Sequence, residues 1–550
     1  MTKKSIYFGT LLLTALAFGS CASDDTATDK TAGKETPKTG TVFSSDVEPA
    51  TRTSATYTGS GLDFYWTAND KIWVKDDNNI YHQSSEDDIA ARLAAVPGST
   101  TTAKAKFWVN GTYTGSTHKV RYTGKNGASD KVTIKASQTQ NTPNDAAHIA
   151  DDGDFGVADA TGSGKYSFTL NHKAAYVTFM PYSTQSVITT AAKLQKIRIY
   201  TNNISDQLAG TFDLADNGSL SNGTTTSNSV ELNVNNFSIP SVSTYASNGA
   251  TMVVKPGTYT NLTIEYTLHD AATNVTGVIE KTYPSVTFDA GKNTPVKADL
   301  KVKIYPANDY FEWDAQQHYW AGFEWDNANP AKRTQPTLDG QQNKTDAPQS
   351  THSASAHTPR DYNDIMGLPP SGILQSPSYS AVGTFNINEM IWYAEKGDPH
   401  WDGNTLWATM GHLHIGGLWI KKQSIIASEN SKTLQQLKDE DAFGYDNRGN
   451  LTLTPSATMY TTGSFTVNSI TQGIPTNIGD YFYLPALGQY ALGTSYIDKS
   501  GYYWGSTPGL DNSSAAGFSF SDHDIFIAWF TRSSGGKLFK SANENEFYPF

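Results

Sequence analysis

The sequence is poor in cysteine and in clustered positive charge. Cys21 is the single cysteine among 550 residues, so no intramolecular disulfide can form and the usual covalent staple of a secreted protein is excluded. Acidic side chains outnumber basic ones, the net charge is −12, and no block of lysine and arginine occurs. Nucleic-acid-binding proteins carry a basic patch or stripe. We therefore expect no nucleic-acid partner.

Common catalytic motifs are also missing. The sequence has no GxSxG elbow, no P-loop, no HExxH pattern and no second cysteine. The first three patterns position a nucleophile, a phosphate group and a zinc ion, respectively. We therefore expect a protein that is not an enzyme and that holds no cofactor.

The first residues have the composition of an export signal. Lys3 and Lys4 precede an apolar run over residues 6–18 and small residues before Cys21. This is the pattern of a cleaved signal peptide, and it is too short for a stable transmembrane helix. Because the position of Cys21 resembles a bacterial lipobox, we predict a lipoprotein signal peptide over residues 1–20 and lipidation of Cys21. The alternative is an ordinary free or buried thiol.

The segment after this cysteine is small, charged and almost free of apolar residues, so it cannot bury enough surface to fold. Asp24 and Asp25 resemble the acidic signal that sends some bacterial lipoproteins to the cell exterior. Arg52 follows, and it is the only basic residue between Lys38 and Lys71. It is either a target for a trypsin-like protease or a solvated loop arginine.

The next part of the chain has the pattern of β-strands. From about residue 60 to residue 300, short runs such as KVTIKAS and KIRIYTNN alternate apolar and polar residues and end at Asn, Gly, Asp or Pro. Such alternation is typical of antiparallel strands with one solvated face. We predict a mainly β protein, with β-sandwich domains over residues 53–183 and 184–303, and a short helix within residues 86–98.

The remaining residues change character twice. Residues 304–383 begin with many aromatic residues and continue as a polar, low-complexity stretch, which predicts an aromatic connector followed by a flexible linker. Residues 384–550 are rich in tryptophan and mix helix and strand patterns. We predict a third, α+β domain there, with a helix over residues 387–396 and a strand in GGLWIKK (416–422).

Aromatic side chains are the main candidates for ligand binding in this third domain. Exposed Trp and Tyr rings can stack on a sugar or a protein surface, although burial is the usual position of large rings. Acidic residues in the turns between them add hydrogen-bond acceptors. The candidate ligand-binding residues are Trp392, Asp398, Trp401, Asp402, Trp407, Tyr502, Tyr503 and Trp504.

Two patterns in the same domain are compatible with metal ions but have simpler explanations. His412 and His414 would lie on one face of a strand, yet no third ligand is adjacent in the sequence. Asp398, Asp402 and Asn404 offer oxygen atoms to calcium, and turn formation accounts for the same residues. We therefore predict no metal site, and we expect these residues to form hydrogen bonds and turns.

Three stretches of the N-terminal half resemble the fimbrillins, the pilus subunits of Bacteroides and Porphyromonas relatives. They are TRTS (51–54), WTANDKIWV (66–74) with Trp66, Asp70, Ile72 and Val74, and FTLNHKAAYVTF (168–179) with Leu170, His172 and Ala175. The resemblance covers roughly residues 40–300. It implies two transthyretin-like or Greek-key β-sandwich domains.

The C-terminal part resembles the C-type-lectin-like domains that end some fimbrillin-related lipoproteins. The matching stretches are NEMIWYAEKGDPHWD (388–402), GHLHIGGLWIKK (411–422), GDYFYLPALGQY (479–490), GYYWGSTPG (501–509), AAGFSF (515–520) and Arg532 with Gly535 and Gly536. Formylglycine-generating enzymes share that fold but need redox-active cysteines. With Cys21 assigned to the lipid anchor, no such cysteine remains, so the resemblance does not imply enzymatic activity. This chain also lacks the EPN and WND motifs of calcium-dependent animal lectins, which argues against calcium-dependent sugar binding.

The family resemblance implies assembly by strand exchange. A lipidated precursor reaches the outer membrane, an Arg-specific, trypsin-like protease cuts it, and its first strand leaves a groove that a strand of another subunit fills. In this chain the implied bond is Arg52–Thr53, and residues 21–52 form the lipidated tether and the removable strand. The side chains that would leave the groove are Val42, Phe43 and Val47.

The resemblance also implies a position in the pilus. Stem subunits of the family end their second domain with a donor segment, whereas this chain continues through KADLKVKIY (297–305) into the lectin-like part. We therefore expect a tip subunit that acts as an adhesin for a host or bacterial surface glycan or protein. It would begin as a surface-exposed lipoprotein of the outer membrane. The alternative is a surface glycan-binding lipoprotein that keeps its lipid and does not polymerise.

Overall fold

Alternating sequence patterns become strands along most of the chain. The computed structural model describes residues 38–45, 54–125, 127–315, 317–341, 378–448, 464–491, 494–509, 514–532 and 535–538. The predictions for the signal peptide, Cys21, Val47, Arg52 and Thr53 lie outside the described residues and stay predictions. Within the described ranges, no helix combines the length and the apolar character needed to span a bilayer.

The number of strands confirms the mainly β fold that the sequence predicted. Up to residue 182 they are β1 (Thr41–Ser44), β2 (Ser54–Tyr57), β3 (Leu62–Thr67), β4 (Trp73–Lys75), β5 (Tyr81–Asp87), β6 (Thr101–Thr102), β7 (Lys106–Val109), β8 (Thr117–Tyr122), β9 (Lys131–Ile134), β10 (Ser137–Gln140), β11 (Gly156–Gly162), β12 (Lys165–Ser167), β13 (Asn171–His172) and β14 (Ala175–Tyr182). Up to residue 304 they are β15 (Ala192–Thr201), β16 (Ala209–Leu214), β17 (Leu220–Ser227), β18 (Ser229–Ser238), β19 (Ala250–Val254), β20 (Gly257–Asp270), β21 (Val275–Phe288), β22 (Asn293–Asp299) and β23 (Lys303–Ile304).

The C-terminal strands are shorter. They are β24 (His400–Trp401), β25 (Trp407–Thr409), β26 (His412–His414), β27 (Gly417–Lys421), β28 (Ser464–Val467), β29 (Thr471–Gln472), β30 (Tyr481–Pro485), β31 (Tyr490–Ala491), β32 (Thr494–Ser495), β33 (Gly501–Pro508), β34 (Ser514–Phe520), β35 (Ile525–Thr531) and β36 (Lys537–Leu538). The predicted strand in GGLWIKK is confirmed as β27.

Helices are short. They are α1 (Ile89–Ala95), α2 (Ile149–Asp152), α3 (Ser186–Ala191), α4 (Tyr245–Asn248), α5 (Ile387–Lys396), α6 (Gln423–Glu429) and α7 (Leu434–Asp439), with 3-10 turns at Pro330–Lys332, Ala381–Gly383 and Ile478–Asp480. The two helices predicted from the sequence are confirmed as α1 and α5. α5 begins with a capping box, in which the side chains of Asn386 and Glu389 accept from each other's backbone N–H groups, a strong local signal for a helix start.

Strands of the N-terminal region form a sheet that closes on itself. Their order is β12-β1-β7-β5-β4-β8-β11, and β11 pairs again with β12. Closure removes the free edges of the sheet and leaves one face to be filled by side chains. The largest fully buried side chains of this core are Trp66, Phe107, Tyr122 and Tyr166.

Two further sheets share the next core. One has the order β10-β18-β15-β20-β21 and the other β19-β14-β22. β10 and β14 lie before residue 183, yet they pair with strands that follow it. Strand pairing therefore crosses the predicted boundary between residues 183 and 184. The division into domains stays a prediction.

Two glutamine side chains cover the outer edge of β19. The Gln138 amide donates to the Val253 carbonyl at 2.7 Å and accepts from the Val253 N–H at 2.9 Å. Gln140 likewise accepts from the Thr251 N–H and donates to the Gly249 carbonyl, both at 2.8 Å. These side chains replace a neighbouring strand, so the backbone groups of β19 are hydrogen-bonded on this side as well.

The C-terminal region is attached to the β20–β21 hairpin by specific contacts. Asp270, at the end of β20, accepts from the Leu413 N–H at 3.0 Å, and its Oδ2 lies 3.2 Å from Nδ1 of His412. Thr273 donates its hydroxyl to the Leu413 carbonyl at 2.9 Å. Leu413 is fully buried in the core that the strands of this hairpin also line. These contacts fix β26 against the turn of the hairpin.

Asp216, in the turn between β16 and β17, connects that hairpin to the closed sheet. Its carboxylate accepts from Tyr81 at 2.6 Å and lies 3.0 Å from the ammonium of Lys75 and 2.5 Å from a guanidinium nitrogen of Arg121. Burial raises the pKa of Asp216, but the hydrogen bonds from Tyr81, Lys75 and Arg121 and the charge of Arg121 outweigh it and lower the pKa to about 2.

We expect Asp216→Asn to reduce the acid sensitivity of the fold. A carboxyl with an unfolded pKa of about 3.9 and a folded pKa of about 2 stabilises the protein above its unfolded pKa, and this stabilisation is lost as pH falls from about 4 to about 2. Chemical denaturation of both proteins across that range measures it. Asp159→Asn is the control, because the ion pair of Asp159 with Lys119 is exposed and such pairs contribute little. Equal pH dependence of wild type and Asp216→Asn would contradict this account.

Candidate functional site

The first described strand occupies a slot in the closed sheet. β1 pairs antiparallel with β7 over Thr41–Ser44 and parallel with β12 over Val42–Ser44. Both edges of β1 are therefore hydrogen-bonded. In the sequence β1 precedes residues 46–53, and all other strands of the sheet come after them. β1 closes the ring between β7 and β12, so its departure would open the ring at this point.

One side chain of β1 fills an aromatic pocket. Phe43 is fully buried, and its ring lies 5.0 Å from the ring of Tyr166 in a stacked arrangement and 5.1 Å from Tyr113 in an edge contact. His118 lies at 6.3 Å on a third side. Val42 is half-buried. Phe43 thus lies in a groove, as predicted. Val42 was predicted to lie in the same groove, but successive side chains of a strand point to opposite faces, so Val42 does not share the pocket of Phe43.

Backbone contacts extend the fit of β1 at both ends. Gly40 adopts φ +115° just before the strand, and a Cβ there would come within 2.9 Å of the Val109 carbonyl oxygen, so only glycine allows this approach. At the other end the Ser45 N–H donates to the Ala105 carbonyl at 2.9 Å. Ser45 also accepts from the Trp66 indole at 3.0 Å.

Residues of the WTANDKIWV stretch, which carries part of the family resemblance, lie in the core of this sheet, whereas residues 51–53 of TRTS lie outside the described residues. Trp66, Ile72 and Val74 are fully buried in the same core as Phe43. Asp70 is fully buried and accepts from the Thr67 backbone at 2.7 Å and from the Tyr122 hydroxyl at 3.0 Å. The WTANDKIWV stretch thus fills the core of the closed sheet and contributes β4 to it.

The FTLNHKAAYVTF stretch of the resemblance (168–179) lies where the closed sheet meets the following sheets. Leu170 is buried in the core of the closed sheet, whereas Ala175 is buried in the next core. His172 pairs with Asp154 at 2.9 Å and stacks on Phe64, with ring centroids 3.9 Å apart. These side chains hold the two cores together.

The candidate aromatic residues of the C-terminal region lie in its interior. Among them, Trp401 is the most accessible at 9% exposed. β33 is buried on both faces, which removes the alternation that an exposed ring would need. The remaining buried rings are Trp392, Trp407, Tyr502, Tyr503 and Trp504. These rings stabilise the core and provide no exposed stacking surface.

The two acidic candidates differ. Asp402 is buried, and its carboxylate accepts from the Asn404 and Thr405 backbones at 2.9 and 3.0 Å and from the Trp419 indole at 3.1 Å. This is turn formation, as expected. Asp398 is exposed, has φ +46°, and accepts from the Tyr481 hydroxyl at 2.6 Å.

The two histidines of β26 contact different carboxylates. Nδ1 of His414 lies 2.6 Å from Asp498, and its buried ring stacks on Trp407. His412 lies beside Asp270. Over the described ranges, no group of three or more His, Cys, Asp or Glu side chains is arranged to hold a metal ion.

Sequence reasoning missed the walls of the Phe43 pocket. Tyr113 and His118 come from a turn and from the start of β8, and no local pattern connects them with residue 43. Tyr166 lies at an alternating buried position of β12, and that alternation in KYSFTL was the available signal. The hydroxyl of Tyr166 donates to the Gly115 carbonyl at 2.8 Å, so the pocket is held by hydrogen bonds.

Comparisons with known proteins give low similarities. No protein-family model matches the sequence, and no curated protein matches it. The structure is similar to a proposed cell adhesion protein of Bacteroides ovatus, at 14% identity, 43% coverage of this chain, 84% of the other and a TM-score of 0.28. It is also similar to a fimbrial assembly protein of Parabacteroides distasonis, at 10% identity, 46% and 88% coverage and a TM-score of 0.21.

A longer alignment joins this chain with a fimbrial protein of Bacteroides ovatus, at 12% identity, 86% coverage of this chain, 94% of the other and a TM-score of 0.20. TM-scores and identities of this size do not establish a common function. Conclusions about function therefore rest on the geometry of this chain.

Proposed function

We propose that this chain is a structural and adhesive subunit of a surface pilus, assembled by protease-triggered strand exchange, and that it occupies the pilus tip. The precursor is a lipoprotein of the outer membrane. Cleavage after Arg52 releases it from the lipid and frees β1. A strand of another subunit then takes the place of β1, and the C-terminal region binds the target.

The observation that supports this proposal best is the position of β1. It is a four-residue strand, paired on both sides, and it belongs to the segment before the proposed cleavage site. Once the covalent connection is cut, β1 is held only by its pairing, by its neighbours in residues 38–45 and by Phe43. A short non-covalent strand is easily exchanged for a longer one with the same hydrogen-bonding pattern.

Departure of β1 would leave a specific acceptor site. The β7 and β12 edges would expose unpaired backbone groups, which costs free energy until another strand pairs with them. The pocket between Tyr113 and Tyr166 would accept a large apolar side chain at the position of Phe43. Backbone pairing would provide affinity, and this pocket would provide register and specificity.

The course of the chain after β22 favours the tip position. β23, over Lys303–Ile304, pairs in parallel with β25, so these residues are part of the C-terminal region. A donor strand would have to be free for another subunit. Residues 303–304 are thus already paired within this chain and are not available as a donor strand.

The mature N-terminus tests the proposal. We expect subunits purified from fibres to begin at Thr53 and to carry no lipid, since cleavage is what frees β1. Edman sequencing of the fibre protein measures this directly. In the alternative, a surface glycan-binding lipoprotein that does not polymerise, all surface protein begins at acylated Cys21. That result would refute the proposal.

Electron microscopy of the same fibres tests whether the subunit lies at the tip or along the shaft. Gold-labelled antibody against residues 390–550 should mark one end of each fibre. Labels along the whole length would assign a stem position, and the tip assignment would then be wrong although assembly by strand exchange would stand.

A further inference from the structure

A small cavity in the aromatic connector has an unusual lining. Its volume is about 170 Å³, and it is lined by Trp325, Arg333, Thr334, Gln335, Pro336, Thr337 and Gln341. Drug-sized ligands occupy pockets of roughly 300–1,000 Å³, so this cavity matches a single small group. We call it the Arg333 pocket.

The polar groups of the Arg333 pocket are mostly unused donors. Arg333 is exposed, and its Nε donates to the Asn327 carbonyl at 2.7 Å; among the described residues no hydrogen bond or ion pair ties down its two terminal nitrogens, which are open to water or to a ligand. Thr334 is 7% exposed, and its buried hydroxyl also lacks a hydrogen-bond partner among the described residues. An unpaired buried hydroxyl costs free energy, which a bound acceptor would recover.

The side-chain amide oxygens of the lining are already occupied. Oε1 of Gln341 accepts from the backbones of Thr337 and Leu338 at 2.8 and 3.3 Å, which leaves its Nε2 as a donor. Gln335 is fully used, because Oε1 accepts from the Trp325 backbone and Nε2 donates to the Ala307 carbonyl. The cavity thus offers donors and one positive charge, a combination suited to an oxyanion.

Nearby carboxylates do not neutralise Arg333. Asp339 pairs with Lys499 at 2.5 Å, and Glu324 lies 3.2 Å from His318. Neither belongs to the described lining, which contains no carboxylate. The guanidinium therefore keeps its charge available to a ligand.

Trp325 adds an apolar wall. One side of its ring packs on Gly411, where a Cβ would come within 2.9 Å of the ring, so the indole is held in place. The flat face of a sugar ring packs well against such a surface. The loop itself is anchored, since the Tyr490 hydroxyl donates to the Pro336 carbonyl at 2.6 Å.

We propose that the Arg333 pocket binds the carboxylate or sulfate group of an acidic sugar, with the sugar ring against Trp325. This inference rests on the proposed adhesive function and names the ligand class of the C-terminal region. Arg333 holds the oxyanion, Thr334 and Gln341 donate to it, and the small volume limits binding to one terminal sugar unit.

Binding of three probes to the full-length mature protein tests the proposal. Sialyllactose supplies a carboxylate, a sulfated lactose supplies a sulfate, and unmodified lactose supplies neither. We expect calorimetry to detect binding of at least one of the first two, weakening as salt is raised, and no binding of lactose. Equal binding of lactose, no binding of any probe, or equally tight binding of inorganic phosphate would overturn the proposal.

Matched variants locate the site. Arg333→Gln should weaken binding of the acidic probe at least tenfold, and Thr334→Val, which keeps the shape, should weaken it several-fold. Lys332→Gln removes the same charge one residue away, from a side chain that lies over Phe323 outside the lining, and should leave binding intact. A loss in Lys332→Gln equal to that in Arg333→Gln would refute the site.

Measuring fibre assembly alongside sugar binding distinguishes a failure of this inference from a failure of the proposed function. Arg333→Gln should form fibres in normal number, because the pocket is remote in sequence from β1 and its pairing strands. If the wild-type protein forms normal fibres but does not bind the acidic sugar, the pocket alone would be refuted. Acidic-sugar binding by a protein that never forms fibres would refute the pilus proposal alone.

Discussion

Replacing Phe43 by alanine is expected to lower the free energy of unfolding of the uncleaved protein by about 3–5 kcal/mol, as for other buried aromatic rings. Phe43 is fully buried and stacks on Tyr166. The cavity cannot collapse easily, because β1 is hydrogen-bonded on both sides and its backbone cannot move inward. Chemical denaturation followed by circular dichroism measures the loss.

Val42→Ala is the control for Phe43→Ala. Val42 is the preceding residue of β1 and is only half-buried, so its truncation removes less buried surface, and we expect a loss of about 1 kcal/mol or less. Equal losses in the two variants would mean that the aromatic pocket does not hold β1. After cleavage, Phe43→Ala should also release the strand faster, since fewer contacts retain it.

Arg52→Ala is expected to abolish fibre formation. A trypsin-like protease recognises the basic side chain, so the alanine variant stays covalently joined to its tether and β1 stays in the slot. The slot then cannot accept a strand of another subunit. Electron microscopy counts the fibres, and immunoblotting follows the uncleaved precursor in the membrane fraction.

Two variants control this experiment. Lys38→Ala removes the nearest upstream basic residue and should leave fibre formation unchanged. Arg52→Lys keeps a positive charge, and fibres should be lost if the protease is specific for arginine. Unchanged fibres with Arg52→Ala would show that another bond is cut and would remove Arg52 from the mechanism.

Features of the fold that depend on residues close together in the sequence were predicted correctly. α5 was predicted from the sequence of residues 387–396 alone, and the structure adds the Asn386–Glu389 capping box that begins it. Phe43 was predicted as a groove residue because it belongs to a short apolar strand candidate after the tether. Both predictions depend on neighbours in the sequence, and the structure agrees with them.

Long-range contacts explain what the sequence did not reveal. The alternating pattern of β10 is equally compatible with any partner strand, and its pairing with β18 depends on the whole fold. Burial of Trp407 and Trp504 results from packing on both sides of β25 and β33. The large number of tryptophan and tyrosine residues suggested that some rings are exposed. The sequence around an aromatic residue does not show whether another part of the chain will bury its ring.

The Arg333 pocket was not predicted from the sequence, because it too depends on long-range contacts. TQPTLDGQQ was assigned to a polar linker on composition, whereas Thr334 and Gln335 are buried. Polar residues fold into a specific structure when each finds a partner, and the partners of Gln335 include Ala307 and Tyr490, which are distant in the sequence. Composition alone cannot reveal such a network.

The glutamine pair on the edge of β19 has a consequence for behaviour at high local concentration. A bare strand edge recruits other chains and leads to uncontrolled aggregation. Because the amides of Gln138 and Gln140 already satisfy the Val253, Thr251 and Gly249 backbones, this edge cannot template a foreign strand. At high local concentration, molecules of this protein are therefore kept from pairing with one another along that edge, and any association between them has to use other surfaces.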